Sequence, residues 1–75
     1  MTATFEAHNK VKNDFTYHPP KGDQITRYEE IREAAKKFAY LIVDNTPESD
    51  EQKQALMLLN LATMSANAAI ARNEV

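Results

Sequence analysis

Apolar positions along the chain fall into two long blocks separated by a turn. In the first block Tyr28, Ile31, Ala35, Phe38 and Ile42 recur at spacings of 3 and 4, which aligns them along one helix face. Ile25, Ala34, Ala39 and Leu41 widen that surface, and Glu29, Arg32, Glu33, Lys36 and Lys37 occupy the more polar side. Among the i, i+4 pairs there, Glu33 with Lys37 attracts, whereas Glu29 with Glu33 and Arg32 with Lys36 repel. The pattern predicts a helix over residues 23–44, with Asp23 as its N-cap and the Thr26 and Glu29 pair as a second capping choice.

The second block predicts a helix over residues 47–72. Thr46 can cap it with Pro47 at the first helical position, and Ser49 with Gln52 forms a competing capping box. Glu48, Asp50 and Glu51 suit the positive end of the helix dipole. Ala55, Leu59, Ala62, Ala66 and Ala69 make one apolar seam, and Met57, Leu61, Met64, Ala68 and Ala71 make another. Leu56, Leu58 and Ile70 add more. One partner helix cannot cover a helix that is apolar on most sides, so the surplus predicts an obligate homo-oligomer. The small residues of "SANAAIA" allow close backbone approach near the end of this helix. The fold class expected is all-α: a hairpin of two long antiparallel helices, preceded by an N-terminal arm over residues 1–22, assembling into a bundle.

Within that arm, residues 1–15 show no sustained period, and both a frayed segment and a short helix remain open. The stretch "TYHPPKGDQ", residues 16–24, follows. Its prolines fix their own backbone angles and push the preceding residues towards extended conformations, so no regular helix is expected to run through it.

Composition narrows the possibilities. The 75 residues make a single small domain, residues 1–75, of the size that needs an extra staple to be stable. There is no cysteine, and His8 and His18 have no ligand spacing around them, so disulfides and a structural zinc are not expected. No cofactor is implied. Oligomerisation is the staple that remains. The net charge of −2 argues against coating nucleic acid by bulk electrostatics, and no stable nucleic-acid partner is expected. The N-terminal residues contain no basic segment followed by an apolar run, so no signal peptide is expected. From Gln54 to Ala71 no residue is charged, but Gln54, Asn60, Thr63, Ser65 and Asn67 interrupt the run, and no membrane span is expected.

No catalytic arrangement emerges. The chain carries no Gly-x-Ser-x-Gly elbow, no phosphate loop of the Walker type and no His-Glu-x-x-His pair, so it is not expected to be an enzyme. Binding candidates are clearer. Tyr17 offers a flat ring for stacking, held by a rigid proline pair, and Lys21 and Gly22 can supply a charge and an unobstructed amide to a phosphate. The same residues also make a packed entry turn, with Tyr17 resting on the helix and Gly22 turning the chain. Arg27, Arg32 and Lys36 are either ordinary surface charges or a cluster that symmetry repeats around a compact polyanion. Asn60, Thr63 and Asn67 form a polar line that can face water, set register or read a ligand edge. Arg72 meets the helix dipole favourably and can equally reach a phosphate.

The stretches "FTYHPPKGDQ…RYEEIREAAKKFAYLI", "ALMLLNLA" and "ANAAIARNE" resemble the small phage helical-hairpin proteins that act as anti-CBASS and anti-Thoeris sponges. The resemblance spans residues 11–74 and is most specific over 17–24 and 66–74. It implies a compact homo-oligomer, a hexamer, that captures cyclic di- or trinucleotides or cyclic ADP-ribose-type signals without degrading them, in the cytoplasm of an infected bacterial host. It places Tyr17 where the family stacks an aromatic on a base, and Arg32 where a basic side chain meets phosphate. Family members often carry Trp at the position of Ser65 and Arg at that of Asp50, a departure that bears on ligand choice. The alternative function is a small oligomeric hairpin that binds RNA, DNA or a protein partner.

Overall fold

A computed structural model describes residues 4–74. Among these residues the chain forms three helices, α1 (Phe5–Asp14), α2 (Gln24–Asn45) and α3 (Asp50–Asn73), and no strand. The all-α hairpin is therefore as expected from the sequence, but the arm holds an ordered helix of its own. Thr4 caps α1 by accepting a hydrogen bond from the Ala7 amide at 3.0 Å, Glu6 lies in its first turn, and Lys10 reaches Asp14 one turn on. Local capping and charge pairing make up for the missing apolar period.

The α2/α3 corner decides between the two capping choices. The second helix starts at Asp50 rather than at residue 47, because Ser49 is its N-cap and its hydroxyl accepts from the Gln52 amide at 3.1 Å. Gln52 then reaches back, donating to the backbone carbonyl and the hydroxyl of Thr46, each at 3.1 Å. Thr46 itself donates to the Ile42 carbonyl at 2.6 Å, which ties it to the end of α2 and leaves Pro47 in the turn. At the other end of α2, Asp23 holds the N-cap position without a capping hydrogen bond from its side chain.

The α2/α3 contact is made by the half-buried Tyr28, Ile31, Ala35, Ala39 and Ile42 against Ala55, Leu56, Leu59, Thr63, Ala66, Asn67 and Ile70. Phe38, expected in that seam, is 54% exposed, and the small Ala39 takes its place. Ile70 is the one buried apolar side chain among the described residues. The Met57, Leu61 and Met64 seam of α3 faces outwards. A compact chain of this length has a radius of gyration of about 11 Å; this one measures 16.5 Å and is only 12 Å thick along its shortest axis. Its accessible surface is 6247 Å², against roughly 4,700 Å² for a compact monomer of this mass. The hairpin is thus a flat layer with little core.

By length and composition alone α3 is long and apolar enough to cross a membrane, a criterion that does not by itself make it a span. Two of its polar interruptions, Thr63 and Asn67, are turned towards α2, and the Thr63 hydroxyl is satisfied by the Leu59 carbonyl at 2.9 Å.

Candidate functional site

Two neighbouring features at the α3 C-terminal end collect most of the predicted site residues. The first is an open groove of about 520 Å³ between α2 and α3, lined by Tyr28, Arg32, Asn67, Ala68, Ala71 and Arg72. Helical spacing builds it: Tyr28 and Arg32 lie one turn apart on α2, as do Asn67 and Ala71, and Ala68 and Arg72, on α3. The alanines leave the room that the arginines and the tyrosine frame. Asn67 Oδ1 is shielded from solvent and has no hydrogen-bond partner among the described residues, so an unsatisfied acceptor lies beside two guanidinium groups. Arg32 also faces the adjoining groove of about 370 Å³, with Lys36, Asn60 and apolar residues of both helices. The sequence had the Arg32, Asn67 and Arg72 set on two separate helices; packing brings them to one groove. Tyr28 joins them, a residue whose apolar periodicity masked any second role.

The second feature is the turn that leads into α2. Gly22 has φ of +59°, and Asp23 follows at φ −88°, ψ 8°, the angles of a type II′ turn whose first central position favours glycine. The turn is closed twice: the Gln24 amide donates to the Lys21 carbonyl at 3.1 Å, and the Lys21 amide donates to Gln24 Oε1 at 3.0 Å. Gln24 is only 5% exposed, and its Nε2 donates to the Glu74 carbonyl at 3.0 Å. Arg27, which the sequence offered as a phosphate contact, is instead engaged internally. Its Nη1 donates to Glu74 Oε2 at 2.9 Å, its Nη2 bonds to Glu74 Oε1, and Asp23 lies 3.2 Å away. A bidentate carboxylate partner uses the face of the guanidinium that a phosphate would need.

Lys21 lines a cavity of about 240 Å³ with His18, Pro19, Gln24, Ala71 and Glu74. Ala71 borders both this cavity and the arginine groove, so the two are adjacent. Tyr17 projects from the same loop and is 81% exposed, so the ring does not rest on the helix as the packed-turn reading expected. Neither Gln24 nor Glu74 was singled out from the sequence as a site residue. Both lie at the ends of its two most specific stretches, and the structure joins those ends.

Electrostatics follow the geometry. Hydrogen bonding from Arg27, together with the attraction of its charge, holds the Glu74 carboxyl below the ordinary glutamate value of 4.5 and raises the guanidinium in turn. Asp14 is held below 3.8 chiefly by its hydrogen bond from Lys10, with the charges of Lys10 and Arg72 adding to it. Asp14 lies 3.6 Å from Arg72 Nε, and Asn13 Nδ2 donates to the Arg72 carbonyl at 2.7 Å. These contacts dock the end of α1 beside the groove.

Comparison with curated proteins and with solved structures finds no match. A family model described as "Acb2/Tad1, hairpin domain" matches residues 7–71, nearly the whole chain and all but the ends of the elements just described. The chain belongs to the Acb2/Tad1 hairpin family of anti-CBASS and anti-Thoeris sponges, a family of binding and sequestering domains.

Proposed function

We propose that this protein is a phage anti-defence sponge that binds cyclic di- or trinucleotide immune signals, or cyclic ADP-ribose-type molecules, and holds them intact in the cytoplasm of the infected bacterium. Family membership over residues 7–71 is the observation that carries the reading. The groove lends it chemistry. Arg32 and Arg72 offer charge-assisted donors to phosphate, Asn67 offers an amide whose oxygen has no partner among the described residues, and Tyr28 and Tyr17 offer rings for stacking. A volume of about 520 Å³ lies in the range of small-molecule sites. Sequestration needs affinity and copy number rather than a nucleophile or general base.

The working form proposed is a closed homo-oligomer, a hexamer. The accessible surface of one chain exceeds that of a compact monomer by about 1,500 Å², roughly twice what one partner buries in a standard interface and enough for contacts with more than one neighbour. Closing the open grooves against a second copy would also enclose the ligand.

Calorimetric titration of the purified oligomer with 3′,3′-cyclic GMP-AMP, cyclic tri-adenylate, cyclic ADP-ribose and a linear RNA tests the reading. The expected result is saturable binding of at least one cyclic probe, with the probe recovered unchanged after heat denaturation. Binding of RNA alone, with an affinity that falls steeply with salt, would replace the sponge with the nucleic-acid alternative.

A further inference from the structure

Both ends of the loop that carries Tyr17 and Lys21 are fastened to the same last turn of α3. At its beginning, Asn13 bonds to the Arg72 carbonyl and Asp14 faces the Arg72 side chain. At its end, Gln24 bonds to the Glu74 carbonyl and Arg27 grips the Glu74 carboxylate through both Nη atoms. Between these anchors the loop's own bonds are local: the Thr16 hydroxyl donates to the Lys12 carbonyl and its amide to the Asn13 carbonyl, His18 Nε2 meets the Asn13 carbonyl at 3.0 Å, and Lys21 is tied to Gln24 in both directions. Tyr17 is 81% exposed, and its ring stands in solvent. The position of the loop is therefore set by its anchors, and the carboxylate of Glu74 supplies the charged, two-pronged one.

We infer that Glu74 is a positioning residue for ligand capture: through Arg27 it holds the Tyr17 to Gly22 loop beside the arginine groove, in the conformation that binds. This rests on the sponge reading of the same site. Ordering a loop before binding removes that cost from the binding step, so releasing the anchor should weaken affinity through the loop. As an acid, Glu74 would itself repel a phosphate, and its pairing with Arg27 also neutralises that charge.

The test uses the full chain, with Glu74→Ala and the milder Glu74→Gln, in two measurements. Amide hydrogen exchange at Lys21 and Gly22 reads the loop without any ligand, and titration with the same three cyclic probes reads capture. Glu74→Ala should accelerate exchange at Lys21 and weaken probe binding, each by about tenfold, with Glu74→Gln between it and the wild type. Oligomeric state and helix content should be unchanged. Unaltered exchange in Glu74→Ala would overturn the inference, as would faster exchange with wild-type affinity, which would make the pair a helix-end staple only. A wild-type protein that binds no probe would remove the sponge reading and this inference together. Wild-type binding matched by Glu74→Ala would remove this inference alone.

Discussion

The outward seam of α3 offers a direct test of assembly. Leu61 is 51% exposed and Met64 66% exposed, so each leaves half or more of its side chain to be covered. Full burial of such a side chain contributes about 1.5–3 kcal/mol, so covering the exposed part contributes about 1 kcal/mol for each residue. In an isologous contact the same residue appears on both sides. The double variant Leu61→Ala, Met64→Ala should therefore cost about 4 kcal/mol per pair of protomers, close to a thousandfold in the dissociation constant. Sedimentation velocity across a dilution series reads this directly. The wild type should remain associated at concentrations where the variant dissociates, and helicity of the variant should fall on dilution, because the isolated hairpin has little core. A wild type that is monomeric and fully helical at micromolar concentration would refute the reasoning, as would a variant that dissociates no more readily than its parent.

Further expectations concern the site and its supports. Arg32→Ala should weaken binding of the cyclic probe by about ten- to a hundredfold, the worth of a charge-assisted hydrogen bond, with the oligomer intact by light scattering. Tyr17→Ala should cost about 1–3 kcal/mol of binding, as for a lost stacking contact. It should leave the melting temperature in place, because the residue is 81% exposed. Ser49→Ala removes the α3 cap and should lower stability by about 1 kcal/mol in denaturant titration. Acid should loosen the docking at the C-terminal end. Glu74 and Asp14 have folded-state values depressed below 4.5 and 3.8, so their contribution is complete above those values and is lost as pH falls through the lowered ones. Hydrogen exchange of the α1 end and the Gly22 turn should rise over that interval, and Glu74→Gln should remove the part that belongs to the turn.

Much of the hairpin is legible from periodicity. Residues 28, 31, 35 and 42 on α2 face α3 as their spacing requires, and α2 ends within a residue of its expected limit. Helix starts are harder to read, because competing caps differ by about as much as a single hydrogen bond is worth. Thr46 with Pro47 is locally plausible, but Ser49 is the cap, and in that register Gln52 also bonds back to Thr46. Over residues 1–15 the choice between a frayed segment and a short helix stays open in the sequence for a different reason: the stability of α1 lies in a cap, a charge pair and contacts to Arg72, and none of these leaves an apolar period.

The sequence by itself determined that two amphipathic helices would pair, that apolar surface would be left over, and that Tyr17, Lys21 and Gly22 would sit on a stiff turn. Each follows from properties a residue keeps with its near neighbours: spacing, backbone freedom and hydrophobicity. Tertiary structure alone decided which cations stay available. Arg27 and Arg32 lie on the same helix with the same charge, yet Arg27 meets Glu74 across a long stretch of chain, while Arg32 meets Arg72 and Asn67 across a groove. Coulomb attraction and hydrogen bonding act over a few ångströms, and only the fold sets which distant residues come within that reach.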